Sequence, residues 1–267
     1  MTLIAPAVLL LVLMLASYAG FRLQRALSDR HRTRETMEAV RLVLGMLITF
    51  AALVLGLLTT SAKAHFDLFR TGLQAYAVDL ITVDQRLREY GPAAQPIRAE
   101  LRAYTASAIA TTWPDELPPS GIYPRRVRSF SPGSSESVEL GAMLLRIDHR
   151  VASLPASQAD LRGLVTAARS QMGHVLEQRF MLLASAEPTL TGWFLGVMTA
   201  WLILVFAVFG LSAPDNRVVY AVIAATALSL SGAMWLIMEL DTPLSGFIAV
   251  SSEPLRNALL HMDAAEE

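Results

Sequence analysis

The sequence predicts an all-α integral membrane protein: four transmembrane helices, with a helical-bundle domain inserted between helices two and three. Two observations carry this expectation. Stretches 3–19, 42–62, 189–213 and 218–238 contain no charged residue, and each approaches the ~20 residues an α-helix needs to cross ~30 Å of hydrocarbon. Between the second and third, the pattern changes to apolar residues at helical spacing, separated by charges and proline-rich breaks. A lipid-embedded backbone must satisfy its own hydrogen bonds, so only helices and closed barrels span a bilayer. The four stretches do not alternate polar and apolar residues as barrel strands do, and are therefore helices. The expected divisions are 1–62, with two spans and their connecting loop, 63–188, the extramembrane helical domain, 189–241, a hairpin of spans, and 242–267, a turn and a short interfacial helix.

The first span ends in Ser17-Tyr18-Ala19, small residues of the kind that precede a signal cleavage site, but no Lys or Arg precedes it. It is expected to be a retained anchor. Arg22, Arg25, Arg30, Arg32, Arg34 and Arg41 all fall in or beside the short connection to the second span. Short loops are where the positive-inside bias acts, so this loop is expected in the cytoplasm of a multi-pass cell (inner) membrane protein. Both termini and the domain 63–188 would then be extracytoplasmic. Tyr18 and Tyr220 would mark the inner interface, with Trp193 and Trp235 at the outer one.

Beyond the second span, Phe66, Phe69, Leu73, Tyr76, Leu80, Val83 and Leu87 alternate by three and four, the seam of a coiled coil or tight bundle. That helix should end near Gly91-Pro92. A second helix, about 96–111, carries Ile97, Leu101 and Tyr104 on one face, and a Pro-, Ser- and Gly-rich loop with Arg125, Arg126 and Arg128 follows. The third begins near Ser135 and carries Leu140, Met143, Leu144, Ile147, Val151 and Leu154, and Pro155 closes it. A fourth, with Leu161, Val165, Ala168 and Met172 inward, begins near Ser157 and runs toward the third span. Ser212-Ala213-Pro214-Asp215-Asn216 forms a tight turn between spans three and four. After the fourth span, Pro243 lacks the N–H to continue a helix and Gly246 accepts positive φ, so the chain should turn back. Ser252 should then cap a short helix through about His261, and Asp241 should approach Lys63 at the end of span two; an exposed, frayed tail is the alternative.

Polar groups narrow the chemistry. The spans hold no charge, which argues against a proton pump working through intramembrane carboxylates; a pore lined by backbone, hydroxyl or apolar groups stays open. Thr49, Thr59, Thr60 and Ser61 in the second span, with Thr226, Ser229 and Ser231 in the fourth, are the available hydroxyls, and most should bond back to their own helix. Ala221, Ala225, Ser229 and Ala233 form a small-residue stripe suited to a helix contact. Lys63, Glu239 and Asp241 end their spans on one side of the membrane, where they would act as an ionic staple or as a charged ring guarding a permeation path. His31, His65, His149, His174 and His261 are scattered, and the chain has no cysteine, so no metal or cofactor site is expected. No Gly-x-Ser-x-Gly elbow or phosphate-binding Gly-rich loop occurs, and no enzymatic activity is expected. A formal net charge of -1 gives no sign of nucleic-acid binding.

Two stretches resemble the signatures of the bacterial bestrophin-like membrane family. One contains Gly45, Gly56 and the run from Thr59 through Lys63, His65 and Phe66 to Asp67; the other joins Glu239-Leu240-Asp241-Thr242-Pro243 and Gly246 to Ser252-Glu253-Pro254-Leu255. Where the family pattern more often carries a basic residue, this chain has Thr242. The resemblance covers nearly the whole chain. It implies similarity to bestrophins, pentameric anion channels with four spans per subunit and a large helical domain between spans two and three. That domain is cytosolic in bestrophins, whereas the arginines of the first loop argue the opposite orientation here. The resemblance implies an oligomeric, anion-permeable protein in contact with the lipid bilayer, other copies of itself and a small inorganic anion. Lys63, Asp67, Glu239, Asp241, Pro243 and Gly246 are its candidate ion-pair or signature residues. The alternative is a non-transporting scaffold or sensor whose extracytoplasmic helical domain binds a partner.

Overall fold

The computed structural model describes residues 4–26, 34–124, 135–155, 158–189, 192–214 and 216–264. Every regular element among them is helical: α1 (Ile4–Ala26), α2 (Arg34–Tyr90), a 3₁₀ turn (Pro92–Ala94), α3 (Gln95–Thr112), α4 (Ser135–Ala152), α5 (Ala159–Ser185), α6 (Gly192–Ser212), α7 (Arg217–Leu240) and α8 (Glu253–Asp263). Four of them, α1, α2, α6 and α7, are long and apolar enough to cross a membrane. Arg30, Arg32, the Arg125–Arg128 run, Ser157 and Asp215 lie outside the described residues.

The chain divides into two compact units, residues 1–66 with 188–248 and residues 67–187 with 249–267. In the first, α1 and α6 meet along a glycine seam. α1 buries Leu9, Leu13, Ser17, Gly20 and Phe21, and α6 buries Met198, Leu202, Val205, Phe206 and Gly210, the same fours and threes on each side. A Cβ on Gly20 would collide with the carbonyl oxygen of Ala207, and one on Gly210 with that of Ser17. The backbones therefore touch, the geometry small residues permit between helices in lipid. α1 outruns its charge-free stretch because Arg22, Leu23, Gln24, Arg25 and Ala26 are good helix formers, and the Arg25 guanidinium lies 4.4 Å from the centre of the Phe21 ring. Tyr220 packs edge-on against Phe21 with ring centres 5.4 Å apart, which brings the end of α1 to the start of α7. The α6–α7 turn closes on Asn216, whose Oδ1 accepts from the Val218 N–H at 3.0 Å.

Thr49, Thr59, Thr60 and Thr226 donate their hydroxyls to carbonyls four residues back, as expected, whereas the buried Ser231 hydroxyl finds no partner. The small-residue stripe lies outward. Ala221, Ala225 and Ser229 are exposed, and the latter two line an apolar groove with Ile48, Leu55, Leu202 and Phe209.

In the second unit, α2 contributes Phe69, Leu73, Tyr76, Leu80, Val83 and Leu87, all buried, the seam read from the sequence. α3 packs antiparallel to it: Tyr104 meets Tyr76 and Arg98 meets Asp84. α4 buries Leu140, Leu144, Ile147 and Val151, and α5 buries Val165, Ala168, Met172 and Val175. α8 buries Leu255, Ala258, Leu259 and Met262 and packs on α3. Its first residue follows Ser252, but the Ser252 side chain makes no capping bond; the expected cap fails because that hydroxyl donates to Glu116 instead.

Candidate functional site

α7 ends in two carboxylates that the fold has buried. Glu239 is 3% and Asp241 4% exposed. Past Leu240, Pro243 offers no N–H to a further turn, and Gly246 takes φ 100, a conformation that only glycine adopts without strain. The chain doubles back there, and Glu239 Oε2 accepts the backbone N–H of Phe247 at 2.6 Å and of Ile248 at 3.3 Å. The carboxylate occupies the space a side chain at Gly246 would need. Asp241 does the same for the chain entering α6: its Oδ1 accepts the Thr189 N–H at 3.0 Å and the Thr189 hydroxyl at 2.6 Å. Each acid thus supplies an acceptor to backbone donors of a part-buried turn, where a hydrogen bond to a charged group contributes about 1.5–3 kcal/mol.

The structure brings Glu239, Asp241, Pro243 and Gly246 together in one turn. Lys63 belongs to the same unit, on α2, with its ammonium 5.8 Å from the centre of the Phe66 ring. Asp67, one turn further along α2, opens the second unit. His65 Nε2 is buried without a hydrogen-bond partner. Sequence spacing missed Thr189, whose only signal is its place just before a span. Among the described residues, no group of three or more His, Cys, Asp or Glu could hold a metal ion.

A second polar cluster, in the other unit, was also missed. Glu116, in the loop after α3, accepts the Ser252 N–H at 3.1 Å and the Ser252 hydroxyl, and receives the Arg256 guanidinium at 3.0–3.1 Å. Arg256 also donates to the Leu117 carbonyl at 2.6 Å, and Trp113 Nε1 donates to the Val250 carbonyl at 2.6 Å. Burial pushes the Glu116 carboxyl up, but the bonds from Ser252 and Arg256 and the Arg256 charge outweigh it and hold the group below the ordinary glutamate range. Asp79, by contrast, is raised by burial against the opposing Gln171 bond and His174 charge.

Deeper in that unit, the Tyr76 and Tyr104 hydroxyls lie 2.5 Å apart, and burial raises both phenols, Tyr76 well above the usual value. Arg98 spans both oxygens of Asp84 at 2.8 and 3.1 Å, with both side chains buried. These groups are consumed by one another and by backbone. They brace the fold of the second unit.

The comparisons agree with this all-helical, membrane-spanning layout. The structure matches crystal structures of a bacterial bestrophin homologue from Klebsiella pneumoniae carrying single substitutions. One aligns with TM-score 0.63 at 13% identity over 98% of this chain and 99% of that one. Another aligns with TM-score 0.66 at 14% identity over 96% and 97%. No functionally curated protein matches the sequence. The family model for the Bestrophin-like domain matches residues 11–255, and the chain belongs to the Bestrophin-like family.

Proposed function

We propose that the protein is an oligomeric, anion-permeable membrane channel, several copies of which surround a common path through the bilayer. The observation that carries this reading is the outward face of α2. Opposite the buried positions Ala51, Leu55, Leu58 and Ala62, it presents Leu53, Leu57, Thr60 and Ala64, all exposed in the single chain and none charged. Copies arranged with this face inward would enclose a lumen without a fixed charge to trap an ion. Thr60 spends its hydroxyl proton on the Gly56 carbonyl, so passage would be controlled by an apolar constriction that wets and dewets rather than by side-chain coordination. The test is chloride flux into liposomes containing the purified protein. Flux above that of protein-free vesicles is expected; silent vesicles holding folded oligomer would overturn the reading. A monomer in lipid would favour the competing reading, a scaffold or sensor whose helical domain engages a partner.

In the same reading, Lys63 and Asp241 form an ionic staple at the end of the spans. Lys63→Ala and Asp241→Ala are each expected to lower the melting temperature of the detergent-solubilised protein. The double variant should lose less than their sum, with a coupling of about 1 kcal/mol. Strict additivity would separate the two residues.

A further inference from the structure

Where α2 passes the C-terminal end of α8, within the second unit, lies a cleft of about 230 Å³. Ile81, Asp84, Gln85 and Arg88 form its α2 wall, spaced by three, one and three so that all four share a helix face, and His261 and Met262 stand on the α8 side. Sites that take drug-sized ligands run to roughly 300–1,000 Å³. An occupant here must be small.

Charge decides its kind. Asp84 is the only acid among the described residues lining the cleft, and it is already engaged: Arg98 Nε donates to its Oδ1 at 2.8 Å and Arg98 Nη2 to its Oδ2 at 3.1 Å. Arg88 Nη2 reaches that second oxygen only at 3.5 Å, well beyond the ~2.7–2.9 Å of a good charge-assisted bond. Two guanidiniums around one carboxylate leave a net positive charge, and it rests on Arg88, whose side chain is 46% exposed. Asp263, close by on α8, is held by Arg102 at 2.9 Å. Neither the Gln85 amide nor the His261 ring, both exposed, makes a hydrogen bond among the described residues. Glutamine carries two N–H donors and histidine at least one. Ile81 and Met262 make part of the wall apolar, and such walls focus the field of an unshared charge.

We infer that this cleft binds a small oxyanion, a carboxylate or a phosphate, with the Arg88 guanidinium as its counter-charge and the Gln85 amide and His261 ring as further donors. A guanidinium presents two parallel N–H groups that match two oxygens of such a ligand. The bound anion would join α2 to α8, whether or not the spans conduct.

The test is calorimetric titration of the full-length protein in lipid nanodiscs with sodium phosphate and, separately, with sodium succinate, at constant ionic strength. Saturable binding of at least one probe is expected, and the better one tells phosphate from carboxylate. Arg88→Gln should weaken it by ~10-fold or more, the loss of a hydrogen-bonded charge, with Arg88→Lys intermediate because it keeps the charge without the fork. Arg86→Gln removes an equal charge from the same stretch of α2 but outside the cleft, and should bind as the parent does. No saturable heat with either probe, equal affinity in the parent and Arg88→Gln, or an equal loss in Arg86→Gln would each overturn the inference. Glu266 and Glu267 follow α8 in the sequence and lie outside the described residues. Binding found only in the Glu266→Gln, Glu267→Gln double variant would make the chain's own carboxylates the occupant and overturn it as well.

Discussion

Gly246 and Glu239 depend on one another, and substitution separates their roles. An alanine at Gly246 meets an unfavourable φ and the Glu239 carboxylate together, and Gly246→Ala is expected to cost at least ~1 kcal/mol. Glu239→Gln keeps an oxygen that can accept the Phe247 N–H, whereas Glu239→Ala removes the acceptor that holds the turn. Thermal unfolding in detergent should therefore rank Glu239→Gln nearest to the parent, with Gly246→Ala and Glu239→Ala both clearly lower; equal losses in all three would contradict the geometry. Glu116 sets a pH dependence. Its folded pKa lies below the unfolded one, so its contribution is complete above the ordinary glutamate pKa of about 4.3 and is lost as the pH falls through the lower folded value. Glu116→Gln should flatten the acid limb of the stability curve and lower stability at neutral pH by about 1–2 kcal/mol. An unchanged acid limb would show that the clasp does not titrate.

At the scale of elements, the α1–α6 crossing leaves no room for a side chain at either glycine. Gly20→Ala or Gly210→Ala puts a methyl group into a facing backbone carbonyl, which no rotamer can relieve, so the helices must separate. Each substitution is expected to cost roughly 2–4 kcal/mol, in the range of severe packing errors. Gly56→Ala, which meets open space, should be close to neutral; a comparable loss there would show that glycine content rather than close approach matters. This crossing was not legible in the sequence, because an apolar span carries no periodic signal for the face that meets a neighbour. The seams of α2, α3, α4 and α5 were legible, since outside the charge-free stretches apolar and charged residues are sorted every three or four positions. Glu116 with Ser252 and Arg256, and Asp241 with Thr189, were invisible for another reason. Such pairs are remote along the chain, and no local rule links a carboxylate to the backbone it will later hold. The pairing of Glu239 with Gly246 was half legible: proline and glycine announced the turn, but not that the acid before them would fill it.

For the whole molecule, orientation in the membrane is the property with the widest consequences. We propose, from Arg22, Arg25, Arg30, Arg32, Arg34 and Arg41, that the first loop faces the cytoplasm and that the termini and the segment 63–188 face outward. A Ser134→Cys protein would carry the chain's only thiol, and a membrane-impermeant maleimide should label it in intact cells. Protection until lysis would reverse the topology.

The tyrosine pair gives the molecule an optical property of its own. Of the chain's 6 tyrosines, Tyr76 and Tyr104 share a hydrogen bond inside the second unit, and burial suppresses their ionisation. In an alkaline titration both should remain spectroscopically silent in the tyrosinate band while the unit is closed, and appear abruptly when it opens. Because both reporters belong to the second unit, that late absorbance step times its unfolding separately from that of the first. An intrinsic chromophore thus serves as a clock for one half of the protein, without any label.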